Sequence, residues 1–297
     1  MNPPASVRNV SDTAHWVALY RALESERPDA HFHDAHARRL AGTRGEQIHA
    51  TLPRPMRNAA WSVVARTVVM DRMIQAEISA GVTLVVNLAA GLDTRPYRLP
   101  LPPNLVWVEV DQGPLLAEKA ALLESAEPHC TLERIPLDLS QEAPVRELLQ
   151  RLGQRAEKVL VITEGLVMYL RPEEVATLAR TMAGVPTIQG WVTDVISPGL
   201  LRMIEKDWGH ALRAGSASMH FAPPEGVAWF ESRGWRVAEC QSTFVAARAL
   251  RRLPRFLRLL SYLPGSGGFD PNRPWSGICL LRPILRGDHA GPDGGAQ

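Results

Sequence analysis

The chain has 297 residues with 45% apolar side chains and a formal net charge of +2, which suits one large α/β domain or two small ones and does not mark a general nucleic-acid binder. Its three cysteines are far apart and odd in number, which indicates a reducing compartment without a disulfide framework. The sequence shows no leader segment and no apolar run of the ~18 residues that a membrane span needs, so we expect a soluble cytoplasmic protein without a nucleic-acid partner.

The front of the chain is predicted to be a helical cap over residues 11–80, after a disordered start at 1–10. Ser11 or Asp12 is a candidate N-cap of the first helix. Apolar residues recur at helical spacing in the third helix, which predicts one buried face. The predicted helices cover residues 11–26, 33–41 and 57–79.

From residue 81 onward, strand-like and helical segments alternate. The expected strands cover residues 83–89, 105–111, 132–138, 159–165 and 188–196. The expected helices between them cover residues 114–125, 141–152 and 172–183. Near-continuous apolar strands separated by helices indicate a parallel sheet that is covered on both faces, and this predicts an α/β domain over residues 81–285.

The last part of the chain is predicted to add edge strands and insertions. Segments 235–243 and 277–284 can extend the sheet, one of them as an antiparallel strand. Segments 198–222 and 245–276 are expected to be lid insertions around a ligand cleft, and residues 286–297 are expected to be a disordered tail. The sequence thus predicts a doubly wound, mostly parallel sheet with a helical cap before it and a lid and edge-strand region after it.

Small or acidic residues follow four successive predicted strands, where such sheets bind their ligands. The first strand leads into Gly91, and Asp111 ends the second, where a carboxylate can accept hydrogen bonds from both hydroxyls of a ribose. Asp138 and Leu139 follow the third, where a carboxylate and an adjacent N–H can bind the edge of an adenine. Glu164 ends the fourth. Acids after strands also cap helices, but four such positions in register favour a ligand site.

The loop after the first strand lacks the glycine spacing of an NAD site. The pattern G-x-G-x-x-G brings a pyrophosphate to a helix N-terminus, whereas Ala89, Gly91 and Thr94 stand at the three glycine positions here. Pro96 also makes the following segment a poor helix start. An adenosine ligand without phosphate fits better, and S-adenosylmethionine (SAM) is the common ligand of that kind.

Four segments, in this order and spacing, resemble the leucine carboxyl methyltransferase family: NLAAGLDTRPYRL, WVEVD, PLDLS and ITEGLVMYL. They are most similar to its bacterial branch of SAM-dependent O-methyltransferases associated with polyketide-type secondary metabolism. The segments SDTAHWVALYRALES, FAPPEGVAWFESRGW and GICLLRP also resemble that branch, so the resemblance covers roughly residues 10–284. It implies the class I, Rossmann-like methyltransferase fold, with SAM as cofactor and S-adenosylhomocysteine as product.

The resemblance also implies roles for individual residues. Arg66 matches the family arginine that holds the methionine carboxylate, and Arg21 matches a second cation there. Ala89 stands where the family usually has the first glycine of NLGAG, and its methyl group is expected to crowd the ligand loop modestly without abolishing binding. Tyr169 would lie between cofactor and acceptor. The other implied cofactor contacts are Gly91 in the loop, Asp111 to the ribose, Asp138 and Leu139 to the adenine, and Glu164 near the amino group and the sulfonium.

The residues that would handle the methyl acceptor are less defined. A carboxylate acceptor is already ionised at pH 7, whereas a hydroxyl acceptor benefits from a general base. The candidate bases are His220 and His210 in the predicted lid, and Asp194 at the end of the fifth strand. Trp208 and Trp275 are candidates for lining an apolar acceptor pocket. The family resemblance points to carboxyl transfer and no base stands out in the sequence, so a carboxylate acceptor is slightly favoured.

Two further segments are interpreted as structural. HFHDAH at 31–36 looks like a metal cluster, but the matching family segment is a plain loop before a helix, so no metal is expected. RALRRLPRFLRLL at 248–260 carries five arginines among leucines, which is typical of a solvated helix pair. The alternative is a rim that attracts an anionic acceptor, a carrier protein or a membrane surface.

Three functional hypotheses follow. The first is an O-methyltransferase that acts on a carboxylate or hydroxyl of a small biosynthetic molecule, free or bound to a carrier protein. The second is carboxyl methylation of a peptide or protein C-terminus. The third is a non-catalytic SAM-binding module, which Ala89 alone favours. The sequence leaves the acceptor and the oligomeric state open.

Overall fold

The computed structural model describes residues 10–52, 57–214, 218–261 and 269–284, and of residues 207–214 it describes the helical backbone alone. Val10 opens the first helix, and the rest of the predicted disordered ends lies outside the described residues. The described helices before the first strand are α1 (Val10–Ser25), α2 (Ala37–Thr51) and α3 (Ala60–Ser79).

Seven strands of the described chain form one sheet in the order β3-β2-β1-β4-β5-β7-β6. They are β1 (Leu84–Leu88), β2 (Val106–Asp111), β3 (Thr131–Pro136), β4 (Val159–Thr163), β5 (Ile188–Ile196), β6 (Trp235–Ser242) and β7 (Ser276–Pro283). The first five strands pair in parallel. β7 is antiparallel to both of its neighbours, β5 and β6, so the expectation of one antiparallel strand is confirmed.

Helices and short turns connect the strands. The helices are α4 (Arg95–Arg98), α5 (Gly113–Leu122), α6 (Glu142–Gly153), α7 (Pro172–Ala183), α8 (Pro198–Ala214), α9 (Thr243–Ala249) and α10 (Arg255–Leu260). Two segments, Val167–Tyr169 and Gly226–Arg233, are 3-10 turns. The predicted insertion at 198–222 therefore contains α8, and most of α9 and all of α10 lie in the one at 245–276.

Both faces of the sheet are covered by helices, because the central strands are apolar at successive positions. Side chains alternate between the two faces along a strand. Val85 packs in the cluster that contains Met70 of α3, and Val86 packs in the cluster that contains Leu148 of α6. The predicted doubly wound α/β fold is confirmed.

Two details differ from the expectations. The second helix runs over Ala37–Thr51 with a break at Gly42, instead of covering 33–41. β7 lies between two strands rather than at an edge, because it is apolar enough to be buried between them.

None of the described helices combines the length and the apolar character that crossing a bilayer would require.

Candidate active site

A cavity of about 570 Å³ opens at the carboxyl ends of the parallel strands, with walls from α1, α3 and α8. Every residue that the sequence predicted for cofactor binding lines it, and so do two of the predicted acceptor residues. The predicted residues in the lining are Arg21, Arg66, Ala89, Gly91, Asp111, Asp138, Leu139, Glu164, Tyr169 and Asp194. The fold therefore gathers residues from five strand ends and two helices around one cavity.

The polar groups of the cavity follow the order of the strands in the sheet. Asp138 follows β3, Asp111 ends β2, Gly91 follows β1, Glu164 follows β4, and Asp194 lies near the end of β5. Neighbouring strands lie about 4.8 Å apart. An elongated ligand laid across the strand ends would therefore meet these groups one after another.

The loop after β1 turns sharply because two of its residues have positive φ, Ala89 at 54° and Gly91 at 50°. Asp111, at the end of the neighbouring strand, holds this loop in place. Its Oδ2 accepts a hydrogen bond from the N–H of Gly91 at 2.7 Å, and its Oδ1 accepts one from the N–H of Gln112 at 2.7 Å. A carboxylate has about four acceptor positions, so Asp111 can still accept bonds from a ligand.

Replacing Ala89 with glycine is expected to raise the free energy of unfolding by about 1 kcal/mol. An L-residue in the left-handed region costs about 1–2 kcal/mol, which glycine avoids at some cost in backbone entropy. The sequence predicts crowding by the methyl group at this position, and the structure adds that the backbone conformation itself disfavours alanine. Urea denaturation followed by tryptophan fluorescence measures the change.

Ala90 is the matched control for that substitution. It is the next residue, it is buried, and its φ is not positive. Ala90→Gly is therefore expected to lower the free energy of unfolding by about 0.5–1 kcal/mol. If both substitutions destabilise the protein alike, the positive φ of Ala89 carries no strain.

The strand end after β3 presents an ionised carboxylate. Asp138 is exposed, and its Oδ1 accepts hydrogen bonds from the N–H of Ser140 at 3.0 Å and from the Ser140 hydroxyl at 2.8 Å. These bonds lower the pKa of Asp138. Leu139 lies beside it in the cavity wall, so a carboxylate and an adjacent backbone segment are available to an adenine at this position.

Arg66 of α3 joins the two carboxylates beyond β4 and β5. Its Nε lies 2.9 Å from Glu164 Oε1, and its Nη1 donates a hydrogen bond to Asp194 Oδ2 at 3.0 Å. Asp194 Oδ1 accepts another from the N–H of Gly165 at 2.7 Å. Burial opposes ionisation of both acids. At Glu164, Arg95 and Arg66 outweigh burial and lower the pKa, whereas at Asp194 burial prevails over Arg66 and raises the pKa.

Arg95, at the start of α4, extends this network into the interior. It is 1% exposed and contacts three carboxylates, those of Glu164 at 2.7 Å, Asp93 at 2.9 Å and Asp71 at 2.7 Å. Arg98 binds Asp71 as well, at 2.6 Å. The DTR triplet of the loop therefore provides a buried ion-pair network beneath the cavity.

We call the connected set the ion-pair cluster. Its carboxylates are Asp71, Asp93, Glu164 and Asp194, and its guanidinium groups are Arg66, Arg95 and Arg98. The cluster has one carboxylate more than it has guanidinium groups, so its formal charge is −1 when every member is ionised. A buried excess of negative charge favours a ligand with a net positive charge.

Sequence reasoning did not single out four members of this cluster, Asp71, Asp93, Arg95 and Arg98. In a sequence, a charged residue that becomes buried cannot be distinguished from a surface residue, because only the fold brings its partners close to it. The spacing of the NLAAGLDTRPYRL motif was the signal that could have identified Asp93 and Arg95.

Arg21 of α1 is tied to the loop after β1. Its Nε donates to Asp34 Oδ2 at 2.9 Å, and its Nη2 donates to the carbonyl of Leu92 at 2.6 Å. The Thr94 hydroxyl donates to the same Asp34 oxygen at 2.6 Å. Burial opposes ionisation of Asp34, but the Arg21 charge and the Thr94 hydrogen bond contribute to a lowered pKa. Sequence reasoning missed this role of Asp34.

Asp34 is the acid of the HFHDAH segment, so that segment fastens α1 and the loop after β1 to each other. Within the described ranges, no group of three or more His, Cys, Asp or Glu side chains is placed to hold a metal ion.

Much of the rest of the cavity wall is apolar and partly aromatic. Its apolar side chains include those of Trp16, Val17, Tyr20, Trp61, Val63, Leu166, Met168, Ile196, Leu200, Met203, Ile204 and Met219. Tyr169 packs against the group that contains Ile204, and burial raises the pKa of Tyr169. This wall suits an apolar molecule beside the strand-end carboxylates.

Two residues predicted for the acceptor lie elsewhere. His220 is exposed and is not among the residues that line the cavity. Trp275 is buried in the core and is also absent from the lining. The side chains of His210 and Trp208 lie outside the described residues. Sequence alone could not place His220 and Trp275, because a position in a predicted insertion does not determine the direction of a side chain.

Comparison with known proteins gives a consistent result. The leucine carboxyl methyltransferase family matches residues 14–183. Two relatives whose names describe S-adenosyl-L-methionine-dependent methyltransferases come from Parafrankia sp. (strain EAN1pec), 31% identical over 85% of each chain, and Streptomyces coelicolor, 33% identical over 77% of this chain and 84% of the relative. A crystal structure of a DUF574 family protein from Streptomyces avermitilis superposes with a TM-score of 0.60 at 12% identity, covering 94% of this chain and 98% of that one, which shows a shared fold.

Proposed function

The chain belongs to the leucine carboxyl methyltransferase family, and we propose that it transfers a methyl group from SAM to an oxygen atom of a small apolar acceptor. It is a SAM-dependent methyltransferase with a class I, Rossmann-like fold. When bound, SAM supplies a methyl group on a positively charged sulfur. The task that remains for the chain is to align the acceptor oxygen with that methyl group and to exclude water.

The residues at the strand ends suit the successive parts of the SAM molecule. Asp111 would accept hydrogen bonds from the ribose hydroxyls, because the N–H groups of Gly91 and Gln112 use only one acceptor position on each of its oxygens. Asp138 and the N–H of Leu139 would bind the adenine. Glu164, whose pKa is lowered, would face the amino group and the sulfonium as an ionised carboxylate.

The charges of the site also suit SAM. The ligand carries a sulfonium, an ammonium and a carboxylate, and its net charge of +1 complements the −1 of the ion-pair cluster. Arg66 and Arg21 are the proposed partners of the methionine carboxylate. Arg21 binds Asp34 through Nε and the Leu92 carbonyl through Nη2, so its Nη1 takes no part in these two bonds. NAD would instead bring two phosphate charges to a loop without the glycine spacing that accepts them.

The observation that carries the proposed acceptor class is that one cavity contains both the strand-end carboxylates and the apolar wall. A peptide C-terminus would need an open groove with a polar mouth, whereas Trp16, Trp61 and Met203 are among the side chains around this one. A small apolar acceptor, free or attached to a carrier protein, fits the wall better. Its source in polyketide-type secondary metabolism is part of the proposal and rests on the resemblance of the motifs.

SAM and S-adenosylhomocysteine are expected to bind with dissociation constants on the order of micromolar, about −8 kcal/mol, and NAD is expected not to bind. The reason is the missing pyrophosphate loop together with the negative charge of the ion-pair cluster. Isothermal calorimetry with the three compounds checks this. Heat from NAD with none from either SAM compound would contradict the proposal, and binding of SAM without methyl transfer to any apolar hydroxyl or carboxylate compound would favour a non-catalytic module.

A further inference from the structure

The side chains that could pair with an anionic acceptor are few. Among the described residues that line the cavity, the cationic side chains are Arg21 and Arg66. Arg21 is bound by Asp34 and the Leu92 carbonyl. Arg66 is bound by Glu164 and Asp194. The methionine carboxylate of SAM would use the remaining capacity of both.

As far as the described residues go, a carboxylate acceptor would therefore enter an apolar wall that offers it no cation of its own. Burying an ionised carboxylate without a partner is strongly unfavourable, and Glu164 and Asp194 would repel it. A neutral hydroxyl compound meets neither obstacle. The aromatic side chains of Trp16, Tyr20 and Trp61 favour a flat, apolar skeleton in the same place.

Asp194 is placed to meet such a hydroxyl. It lies near the end of β5, one strand beyond Glu164, on the side of the sheet away from the proposed adenine position. It is 5% exposed, yet it lines the cavity. Each of its oxygens accepts one hydrogen bond from the protein, which leaves a second acceptor position on each.

The charged and titratable groups that face Asp194 come from every element around it. They are Arg66 of α3, Glu164 after β4, Tyr169 of the 3-10 turn and Cys279 of β7. Burial raises the pKa of Asp194, in spite of Arg66 and the Gly165 N–H, and a raised pKa brings a carboxylate closer to the strength that a general base needs.

On the basis of the proposed function, we propose that the acceptor is a neutral phenol on an apolar skeleton and that Asp194 is the catalytic residue that accepts its proton. The phenol O–H bond breaks as the proton moves to an Asp194 oxygen, and the phenol oxygen forms a bond to the methyl carbon. The electron pair of the carbon–sulfur bond stays on sulfur, so the products are a methyl ether and neutral S-adenosylhomocysteine. Asp194 then releases its proton to water.

The two rival bases whose side chains the structure describes, Tyr169 and His220, are less suited to this step. Burial raises the pKa of Tyr169, which keeps its hydroxyl protonated at neutral pH. His220 is exposed and outside the cavity lining. The expectation of a carboxylate acceptor rested on the family resemblance and on the lack of an evident base in the sequence, and the buried position of Asp194 removes the second reason.

A pair of probes of matched shape tests the acceptor class by binding alone. 2-Naphthol is neutral at pH 7, and 2-naphthoate is an anion. We expect 2-naphthol to bind the protein loaded with S-adenosylhomocysteine at least about 10-fold more tightly, with quenching of the tryptophan fluorescence. Equal or tighter binding of 2-naphthoate, or no binding of 2-naphthol, overturns the inference. Failure of S-adenosylhomocysteine itself to bind would instead count against the proposed function.

The pH dependence of methyl transfer to 2-naphthol tests the role of Asp194. A base must be deprotonated, so kcat is expected to fall as the pH falls through the pKa of Asp194, which lies above the ordinary aspartate value of about 3.9. At saturating SAM, Asp194→Asn is expected to lower kcat by about 10²–10⁴-fold and to abolish this acid limb.

His220→Ala is the control and is expected to retain wild-type kcat and the same limb. A limb near pH 6.5, the ordinary histidine value, that disappears in His220→Ala would overturn the inference. So would an unchanged limb in Asp194→Asn, or transfer to 2-naphthoate but not to bound 2-naphthol. Should Asp194→Asn fail to fold, the comparison of the two probes on the wild-type protein still decides the acceptor class.

Discussion

Replacing Arg95 with methionine is expected to lower the free energy of unfolding by at least about 3 kcal/mol. Arg95 is 1% exposed and contacts the carboxylates of Asp71, Asp93 and Glu164. Removing one partner from a buried ion pair leaves an uncompensated charge, which typically costs about 3–5 kcal/mol. Urea denaturation of the two proteins, followed by fluorescence, measures the difference.

Two further variants make this test specific. Arg95→Lys keeps the charge but cannot reach three carboxylates with one ammonium group, so an intermediate loss is expected. Arg72 is the control, because it pairs with Glu239 at the surface, where the side chains are 56% and 43% exposed. Arg72→Met is expected to cost less than about 1 kcal/mol. Similar losses for Arg95→Met and Arg72→Met would show that the buried network does not stabilise the fold.

Replacing Asp111 with alanine is expected to weaken SAM binding by at least about 10-fold. Two hydrogen bonds from ribose hydroxyls to a carboxylate are each worth about 1.5–3 kcal/mol, and about 1.4 kcal/mol is a factor of ten. The variant also loses the acceptor that holds the N–H of Gly91, so the loop after β1 would be less well ordered for the ligand. Calorimetry with SAM gives the ratio of the two dissociation constants.

Glu133→Ala is the control for this experiment. Glu133 belongs to β3 and pairs with Arg155, and it is not part of the cavity lining. Like Asp111→Ala, the Glu133→Ala substitution removes one carboxylate from a strand, so an effect of net charge alone would appear in both variants. We expect unchanged SAM affinity in Glu133→Ala. Unchanged affinity in a folded Asp111→Ala protein would mean that the ribose lies elsewhere.

Local sequence patterns were sufficient to predict most of the α/β core. The predicted segments 188–196 and 172–183 coincide with β5 and α7, because a strand buried on both faces is apolar along its length and a helix on the sheet repeats its apolar residues at helical spacing. The second helix was predicted less well. Its start depends on the loop that Asp34 holds through Arg21 and Thr94, and those partners are distant in the chain.

The same difference explains the outcome for individual site residues. Asp111 and Glu164 could be placed from sequence because parallel strands all end at the same edge of a sheet, so the residue after each strand must lie there. His220 could not be placed, because it lies in a connection whose path is decided by packing. Asp34 and Arg95 were not recognised as site residues, because a buried charge is defined by its partners.

By itself, then, the sequence determined which acidic or small residues end the parallel strands and the class of ligand that the loop after β1 can accept, since both depend on residues within or directly after a strand. Only the tertiary structure decided the chemical state of those groups. Arg66 and Asp194 are 128 positions apart in the chain and lie 3.0 Å apart in the fold. Because burial and charge at such distances set a pKa, Glu164 and Asp194 come to differ in proton affinity although both are acids near the ends of neighbouring strands.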